Sequence, residues 1–347
     1  MRHIKRYSQL FENSQELSQE QTDWLNKCSK GTWKLNPETG LVDVEGNFNC
    51  SDKKRMTNFK GVRFGHVSGT FDCCRSSLTS LEGAPQSVGG DFICHSNSLT
   101  SLEGAPHKVK GGFDCSHNML TSLAGAPQSV SASLDCSNNQ LTSLEGAPRK
   151  VTDSYFTLFC SHNRLTSLKG TPSKTRWLDC SNNQLTSLNG APSNLDRFDC
   201  SNNQLTTLEG APEFVRDFNC SHNLLTSFKG GPRRMYSTGN LNCSDNQISS
   251  LEGLPESLSF SPTGPHFMSE FFDVEASGNP ISGRTIKGIM VRMYKHFKGG
   301  NLEKAVESYW KSIPNKDRPY LAKHHPNLPE DKKRGYEALD KFRSKII

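Results

Sequence analysis

One position in the sequence constrains this chain more than any other: a cysteine that returns every 20 to 24 residues. The stretch LDCSNNQLTSLEGAP, residues 134–148, shows the motif, and near copies of it fill most of the chain. Ten of the twelve cysteines occupy this position: Cys50, Cys73, Cys94, Cys115, Cys136, Cys160, Cys180, Cys200, Cys220 and Cys243. Ala276 takes the same place in a last copy. Such a repeat predicts a solenoid in which each copy forms one turn and stacks on its neighbours.

The residues around each motif cysteine alternate as in a β-strand. In LDCSN, Leu134 and Cys136 are expected to point into the coil, and Asp135 and Ser137 to point out of it. Stacked turns would place equivalent residues about 4.8 Å apart in a parallel sheet. The cysteine then acts as a small buried hydrophobe, and the Gly-Ala-Pro that ends each copy turns the chain.

From Cys94 onward, an asparagine stands three residues after each motif cysteine, and after Ala276, at the end of the expected strand. We predict that its amide turns inward and bonds to backbone groups of adjacent turns that would otherwise be buried without partners. This set comprises Asn97, Asn118, Asn139, Asn163, Asn183, Asn203, Asn223, Asn246 and Asn279. The predicted structural ladder consists of Cys94 and the seven motif cysteines after it, together with Asn118, Asn139, Asn163, Asn183, Asn203 and Asn223.

Metal binding and disulfides are less favoured interpretations of the cysteine repeat. Metal sites need converging ligands, usually in paired C-x₂-C spacing, whereas these cysteines stand in single file. Adjacent turns are close enough for a disulfide, but parallel side-chain directions disfavour its torsion. His117, His162 and His222 share one repeat position but lie in separate turns, so they too predict no metal site.

An open stack of turns needs covered ends, and both ends of the repeat differ from it. Residues 1–47 predict an N-terminal cap, with a short helix that begins near Ser18 and a hairpin around residues 36–40. Residues 48–280 predict a solenoid of about eleven turns. Residues 281–347 carry helical periodicity, as at Ile286, Met290 and Met293, and predict a C-terminal helical domain.

Charge and motifs exclude several function classes. Residues 281–347 hold 16 of the 41 Lys and Arg but only 7 of the 35 Asp and Glu, so the C-terminal end is basic. No apolar run reaches the ~20 residues of a membrane-spanning helix. The start, MRHIKRYSQLFENSQ, has no apolar core of a secretory signal, which predicts reduced thiols in a cytoplasm. Phosphate-loop, H-E-x-x-H and serine-elbow motifs do not occur, so no enzyme activity and no cofactor are expected.

The copies FDCSHNMLTSLAGAP, LDCSNNQLTSLNGAP and LNCSDNQISSLEGLP resemble the C-S-x-N-x-L-T-S-L repeats of bacterial and bacteriophage leucine-rich-repeat proteins. The resemblance covers about residues 42–281, and the entry segment looks like that of proteins from large tailed phages. It implies an α/β-type solenoid: a right-handed coil with a parallel sheet on the concave face, short turns on the convex face, and the two caps described above. It implies protein binding and brings no catalytic residues. Effector ubiquitin ligases also join such a solenoid to a helical domain, but residues 281–347 contain no nucleophilic cysteine.

The exposed side of the strands is the predicted binding surface. Residues one and three places before each motif cysteine should point there, and many of them are acidic. The predicted partner site consists of Phe159, Trp177, Asp179, Arg197, Asp199 and Asp217, in which the aromatic side chains anchor a partner and Arg197 relieves repulsion among the carboxylates. A solvated polar face that only keeps the sheet from aggregating is the competing interpretation.

The sequence therefore predicts a non-catalytic, cytoplasmic protein-binding module. If the chain is phage-encoded, its expected partner is a host protein, with defence proteins among the candidates. A structural virion component is one alternative, and nucleic-acid binding by the basic C-terminal helices is another. The identity of the partner and the oligomeric state are left open.

Overall fold

A computed structural model describes residues 16–236, 239–255, 257–259 and 273–281. The chain divides into an N-terminal unit, Met1–Leu141 with Glu145–Phe159, and a C-terminal unit, Thr142–Leu144 with Cys160–Ile347. Both units are stacks of short turns joined by parallel strands, so the fold is a leucine-rich-repeat coil. The predicted C-terminal helices lie outside the described residues. No described helix is long and apolar enough to cross a membrane.

The N-terminal unit opens with the predicted helix and hairpin. Helix α1, Gln19–Cys28, begins at Ser18, whose side chain accepts a hydrogen bond from the Gln21 N–H while the Gln21 side chain accepts one from the Ser18 N–H. This capping box satisfies two donors that a helix start otherwise leaves unpaired. Strands β1, Thr32–Leu35, and β2, Val42–Glu45, follow as an antiparallel hairpin. Trp24, Leu25 and Cys28 are the buried residues of α1.

Two parallel sheets run through the N-terminal unit. The motif strands form one: β3 Phe48–Asn49, β5 Phe71–Asp72, β7 Phe92–Ile93, β9 Phe113–Asp114, β11 Ser133–Asp135 and β13 Phe156–Phe159. The hairpin continues into the other: β4 Phe64–Val67, β6 Ser87–Val88, β8 Lys108–Val109, β10 Ser129–Val130 and β12 Lys150–Val151. The sequence analysis did not predict this second sheet.

In the C-terminal unit the first three strands are longer, with five or six residues each: β14 Thr175–Asp179, β15 Asn194–Asp199 and β16 Phe214–Asn219. Four strands of three residues follow: β17 Arg234–Tyr236, β18 Asn240–Asn242, β19 Ser257–Ser259 and β20 Asp273–Glu275. β14, β15 and β16 pair in parallel, and β16 also pairs with β17 and β18, which continue to β19 and β20.

Repeat length explains the difference between the units. In a 21-residue copy the buried Val88 and Phe92 are four residues apart, and Gly89–Gly90 separates two short strands. In a 20-residue copy the buried Leu195 and Phe198 are three apart, and one strand spans both. Deleting one residue thus fuses the two strands of a turn.

The core is a file of equivalent side chains. Rings of Phe48, Phe71, Phe92 and Phe113 stack with centroid separations of 5.2, 5.5 and 5.7 Å. Phe198 and Phe218 repeat this stacking in the C-terminal unit at 5.6 Å. Each copy turns at its glycine: Gly104 has a φ of +88°, and a Cβ there would lie 2.7 Å from the Leu81 carbonyl oxygen.

Candidate functional site

All twelve cysteines are free thiols and buried. The ladder thiols do more than fill space. Cys180 Sγ lies 3.3 Å from the Asp199 carbonyl oxygen, which also accepts the Cys180 N–H at 2.8 Å. The same double donation occurs from Cys160 to Asp179 and from Cys200 to Asn219. Burial raises the pKa of the Cys180 and Cys200 thiols well above its ordinary value, so these sulfurs are neutral and unreactive near neutral pH.

The ladder asparagines join each turn to the turn before it. Asn139 Nδ2 donates to the carbonyl oxygens of Cys115 and Cys136, both at 3.1 Å, and its Oδ1 accepts the Leu120 N–H at 2.9 Å. Asn203 does the same in the C-terminal unit, with Cys180, Cys200 and the Leu185 N–H. These bonds satisfy backbone groups at the strand end, where the parallel ladder no longer pairs them.

Ser76 holds the asparagine position of its turn, a role that the sequence analysis missed. Its side chain is fully buried, and its hydroxyl lies 3.1 Å from the Cys50 carbonyl oxygen and 3.0 Å from that of Cys74. This role could have been predicted, because Ser76 stands three residues after Cys73, which is the position of the asparagine in later copies.

The serine that follows most motif cysteines was expected to be exposed on the outward side of the strand, and that expectation of exposure was wrong. Ser137 is 8% exposed, and its N–H and hydroxyl both donate to Asp135 Oδ1, at 2.9 and 2.6 Å. Burial raises the pKa of Asp135, and the two hydrogen bonds from Ser137 act in the opposite direction. The same pair forms between Asp179 and Ser181 and between Asp199 and Ser201. One carboxylate oxygen of each of these aspartates therefore caps the end of its strand by accepting both hydrogen bonds from the serine.

The second residue after each cysteine has a left-handed backbone. His117, His162 and His222 have φ values of 51°, 53° and 52°, and Asn138, Asn182, Asn202 and Asp245 have equivalent values. Asn, Asp and His tolerate this region better than most residues, which explains the histidines without a metal. In the part of the chain that the structure describes, no three His, Cys, Asp or Glu side chains converge to hold a metal ion.

Trp177 and Arg197 form the centre of the predicted site. They are directly paired between β14 and β15, and the Arg197 guanidinium carbon lies 4.7 Å from the centroid of the Trp177 ring. Trp177 is 37% exposed, so a large ring faces solvent with a cation already over it. A cation–π contact of this kind holds both side chains in place at an exposed site.

Arg197 neutralises one carboxylate of the three predicted. Its Nε lies 3.5 Å from Asp217 Oδ2, its direct neighbour on β16. Asp217 also pairs with Arg216 at 3.2 Å and accepts the Asn240 N–H at 3.2 Å. Asp199 instead accepts Asn219 Nδ2 at 2.9 Å. The structure thus brings Trp177, Arg197 and Asp217 into one connected group, with Asp179 and Asp199 alongside on the same strands.

Phe159 belongs to β13 of the N-terminal unit and is half-buried there, whereas the other five predicted residues lie in the C-terminal unit. Tyr155, just before the same strand, is 71% exposed and was not singled out from the sequence. The sequence feature that could have drawn attention to Tyr155 is the longer spacing of this copy, since Cys136 and Cys160 are 24 residues apart.

A half-buried ion pair between Arg176 and Asp196 was not predicted from the sequence. Arg176 Nε and a terminal nitrogen donate to the two carboxylate oxygens of Asp196, at 3.1 and 3.0 Å. The two residues are 20 apart, which is the local repeat length, so they are neighbours on β14 and β15. This bidentate pair fixes the strands that carry Trp177 and Arg197.

No family model and no curated protein matches the sequence. Among solved structures, the chain is similar to YopM from Yersinia enterocolitica WA-314, with 18% identity and a TM-score of 0.39. That alignment covers 80% of this chain and 77% of YopM.

Proposed function

We propose that this protein is a non-catalytic protein-binding module whose contact surface is the exposed side of β14–β16, centred on Trp177 and Arg197. The observation that carries the proposal is the exposed Trp177 ring with the Arg197 guanidinium 4.7 Å above it. Tryptophan and arginine dominate the energetics of protein interfaces because they combine large area with directional contacts. The fixed geometry lowers the entropy that binding would otherwise cost.

The surrounding groups define the chemistry of the partner. Asp179 and Asp199 each use Oδ1 to hold a serine, and both carboxylates stand beside the aromatic centre. A partner surface with an apolar or aromatic side chain for Trp177, and basic groups around it, complements this arrangement. The acidic residues serve as the rim of the site, and they also keep the strand ends in place.

The test uses single substitutions in the full-length protein. Tagged wild-type protein, Trp177→Ala and Arg197→Glu are used for affinity purification from the native host, and bound proteins are identified by mass spectrometry. Lys174→Glu is the matched control, because Lys174 is exposed in the same unit and changes charge equally. A specific partner should be retained by the control and lost by both site variants. A partner that all three variants retain equally would refute the site.

Substitutions of Asp179 or Asp199 test the site less cleanly. Each holds the N–H and hydroxyl of a buried serine, so charge reversal would disturb the strand ends as well as any interface. The two substitutions at Trp177 and Arg197 avoid that confusion.

The proposal extends to a phage-encoded protein that binds a host protein in the host cytoplasm, with defence proteins among the candidates. Its support is the resemblance of the C-S-x-N-x-L-T-S-L copies to bacterial and phage repeats. Presence of the protein in purified virus particles would instead favour a virion component. Retention of the wild type on heparin, lost as salt rises, would favour nucleic-acid binding by the basic residues 281–347.

A further inference from the structure

A cavity of about 780 Å³ opens in the N-terminal unit between helix α1 and the irregular turn that follows Cys50. Helix residues Glu20, Asp23, Trp24 and Lys27 line one side. The other side is formed by Lys53, Lys54, Arg55, Met56, Thr57, Asn58 and Lys60. Five of these eleven side chains are cationic and two are acidic, so the cavity is strongly positive.

Its acidic residues are already engaged. Lys60 Nζ lies 2.6 Å from Glu20 Oε1, and Asp23 Oδ1 accepts a hydrogen bond from Gln19 at 2.8 Å. Lys27, Lys53, Lys54 and Arg55 are exposed, and among the described residues none of them takes part in an ion pair. These cations therefore remain available to an incoming anion.

The fold does not need this charge. Lys53 stands three residues after Cys50, where other turns place the ladder asparagine. In this turn the Cys50 carbonyl oxygen already accepts the Ser76 hydroxyl, so no amide is required at position 53. Arg55 stands where the regular turns carry leucine or isoleucine, and Lys54 stands where all of them except the Cys160 copy, which has Arg164, carry an uncharged residue. The hydrogen bonding of this turn therefore gives no reason for three consecutive basic residues at positions 53–55.

The floor of the cavity is apolar. Trp24 and Met56 are 7% and 8% exposed, so each shows a small part of its surface at the base. The Trp24 ring packs edge-on against Phe48 and Phe64, with centroids 5.3 and 6.2 Å away, which fixes its position. An apolar floor surrounded by charged groups is typical of sites that take a mixed ligand.

We propose that this cavity, which we call the cap cavity, binds an acidic peptide segment of a partner protein. Carboxylates would pair with Lys27, Lys53, Lys54 and Arg55, while an apolar side chain would contact Trp24 and Met56. Basic clusters recognise acidic motifs in this way. The chain's own ends are poor occupants, because residues 1–15 carry three Lys and Arg against one Glu, and residues 281–347 are basic as well.

The observations favour a peptide over a nucleic acid. Proteins that bind single strands stack bases on open aromatic rings, whereas Trp24 is largely covered by its packing. The cap cavity is independent of the proposed Trp177 site and lies in the other unit.

The experiment measures fluorescence anisotropy of a short fluorescein-labelled peptide of Asp, Glu and one Leu with the full-length protein. A matched peptide of Asn, Gln and Leu and a single-stranded DNA oligonucleotide are the comparison probes. The acidic peptide should bind, and its affinity should fall as salt rises from ~50 to ~500 mM because exposed charges are screened. Lys53→Glu with Lys54→Glu should weaken binding about tenfold or more, since two attractive contacts become repulsive.

The matched control is Lys108→Glu with Lys110→Glu, which makes the same charge change at exposed lysines of the same unit away from the cavity. The control and Arg197→Glu should bind the acidic peptide as the wild type does. Unchanged binding by the Lys53 and Lys54 variant, or an equal loss in the control, would overturn the assignment. Tighter binding of the oligonucleotide than of the peptide would show that the occupant is a nucleic acid and not a peptide.

Discussion

Replacing Asn139 with alanine should destabilise the coil far more than a surface substitution in the same turn. The Asn139 side chain is buried and joins two turns through the Cys115 and Cys136 carbonyl oxygens and the Leu120 N–H. Cys115 O also accepts Asn118 Nδ2, so it keeps a partner. For the Leu120 N–H, Asn139 Oδ1 is the partner that the structure gives.

The magnitude follows from these contacts. A buried N–H left without an acceptor costs about 1–3 kcal/mol. Each of the two lost hydrogen bonds to a carbonyl oxygen removes a further ~0.5–1.5 kcal/mol. One unpaired N–H and two lost bonds to carbonyl oxygens together give an expected loss in the free energy of unfolding of roughly 2–6 kcal/mol. Gln140→Ala, one residue further along and half-exposed, should change the stability by less than about 0.5 kcal/mol.

Two measurements check this expectation. Urea unfolding compares the free energies of the two variants with the wild type, and amide hydrogen exchange follows the Leu120 N–H directly. In Asn139→Ala that amide should exchange faster, while in Gln140→Ala it should stay protected. If Asn139→Ala and Gln140→Ala lose the same small amount of stability, the ladder does not carry the turn-to-turn energy assigned to it.

Other predictions concern the backbone and the thiols. His162→Val should destabilise the protein by about 1–2 kcal/mol relative to His162→Gly, because φ is 53° there and a β-branched residue resists the left-handed region; equal melting temperatures would contradict this. A bulky maleimide should label the native ladder cysteines slowly at pH 8, as judged by intact mass, and rapid labelling of most of them would contradict their burial. Burial raises the pKa of Cys74 from 9.0 to about 12. The unfolded thiol ionises first, so this stabilising contribution is complete below pH 9 and is lost as the pH rises towards about 12. Cys74→Ser should flatten that decline in urea titrations.

Much of the fold was predictable because a repeat multiplies a weak local signal. One copy of LDCSNNQLTSLEGAP is compatible with many structures, but ten aligned cysteines and the leucines at fixed offsets require one inward-facing column. The cap helix and hairpin followed from Ser18 and the turn at residues 36–40. The C-terminal helices and the predicted boundaries at residues 47 and 280 stay predictions.

The binding site was less predictable because it depends on which of several neighbouring residues each side chain contacts. Arg197 has three carboxylates within its region, and the sequence assigned it to all of them. In the structure it stacks on Trp177 and pairs with Asp217, while the other two carboxylates hold Ser181 and Ser201. Hydrogen-bond geometry at the strand end decides that outcome, and the order of residues alone does not contain it.

The sequence by itself determined the inward-facing column of the coil, because the 20- to 24-residue period places the residues equivalent to Cys136 and Leu141 at the same depth in successive turns. The tertiary structure decided how the exposed side is organised. Only the stacking of turns brings Trp177 under Arg197, joins Arg176 to Asp196 and gathers the cations that line the cap cavity. Burial follows from a pattern along the chain, whereas surface contacts depend on distances between residues about one turn apart, which the fold alone fixes.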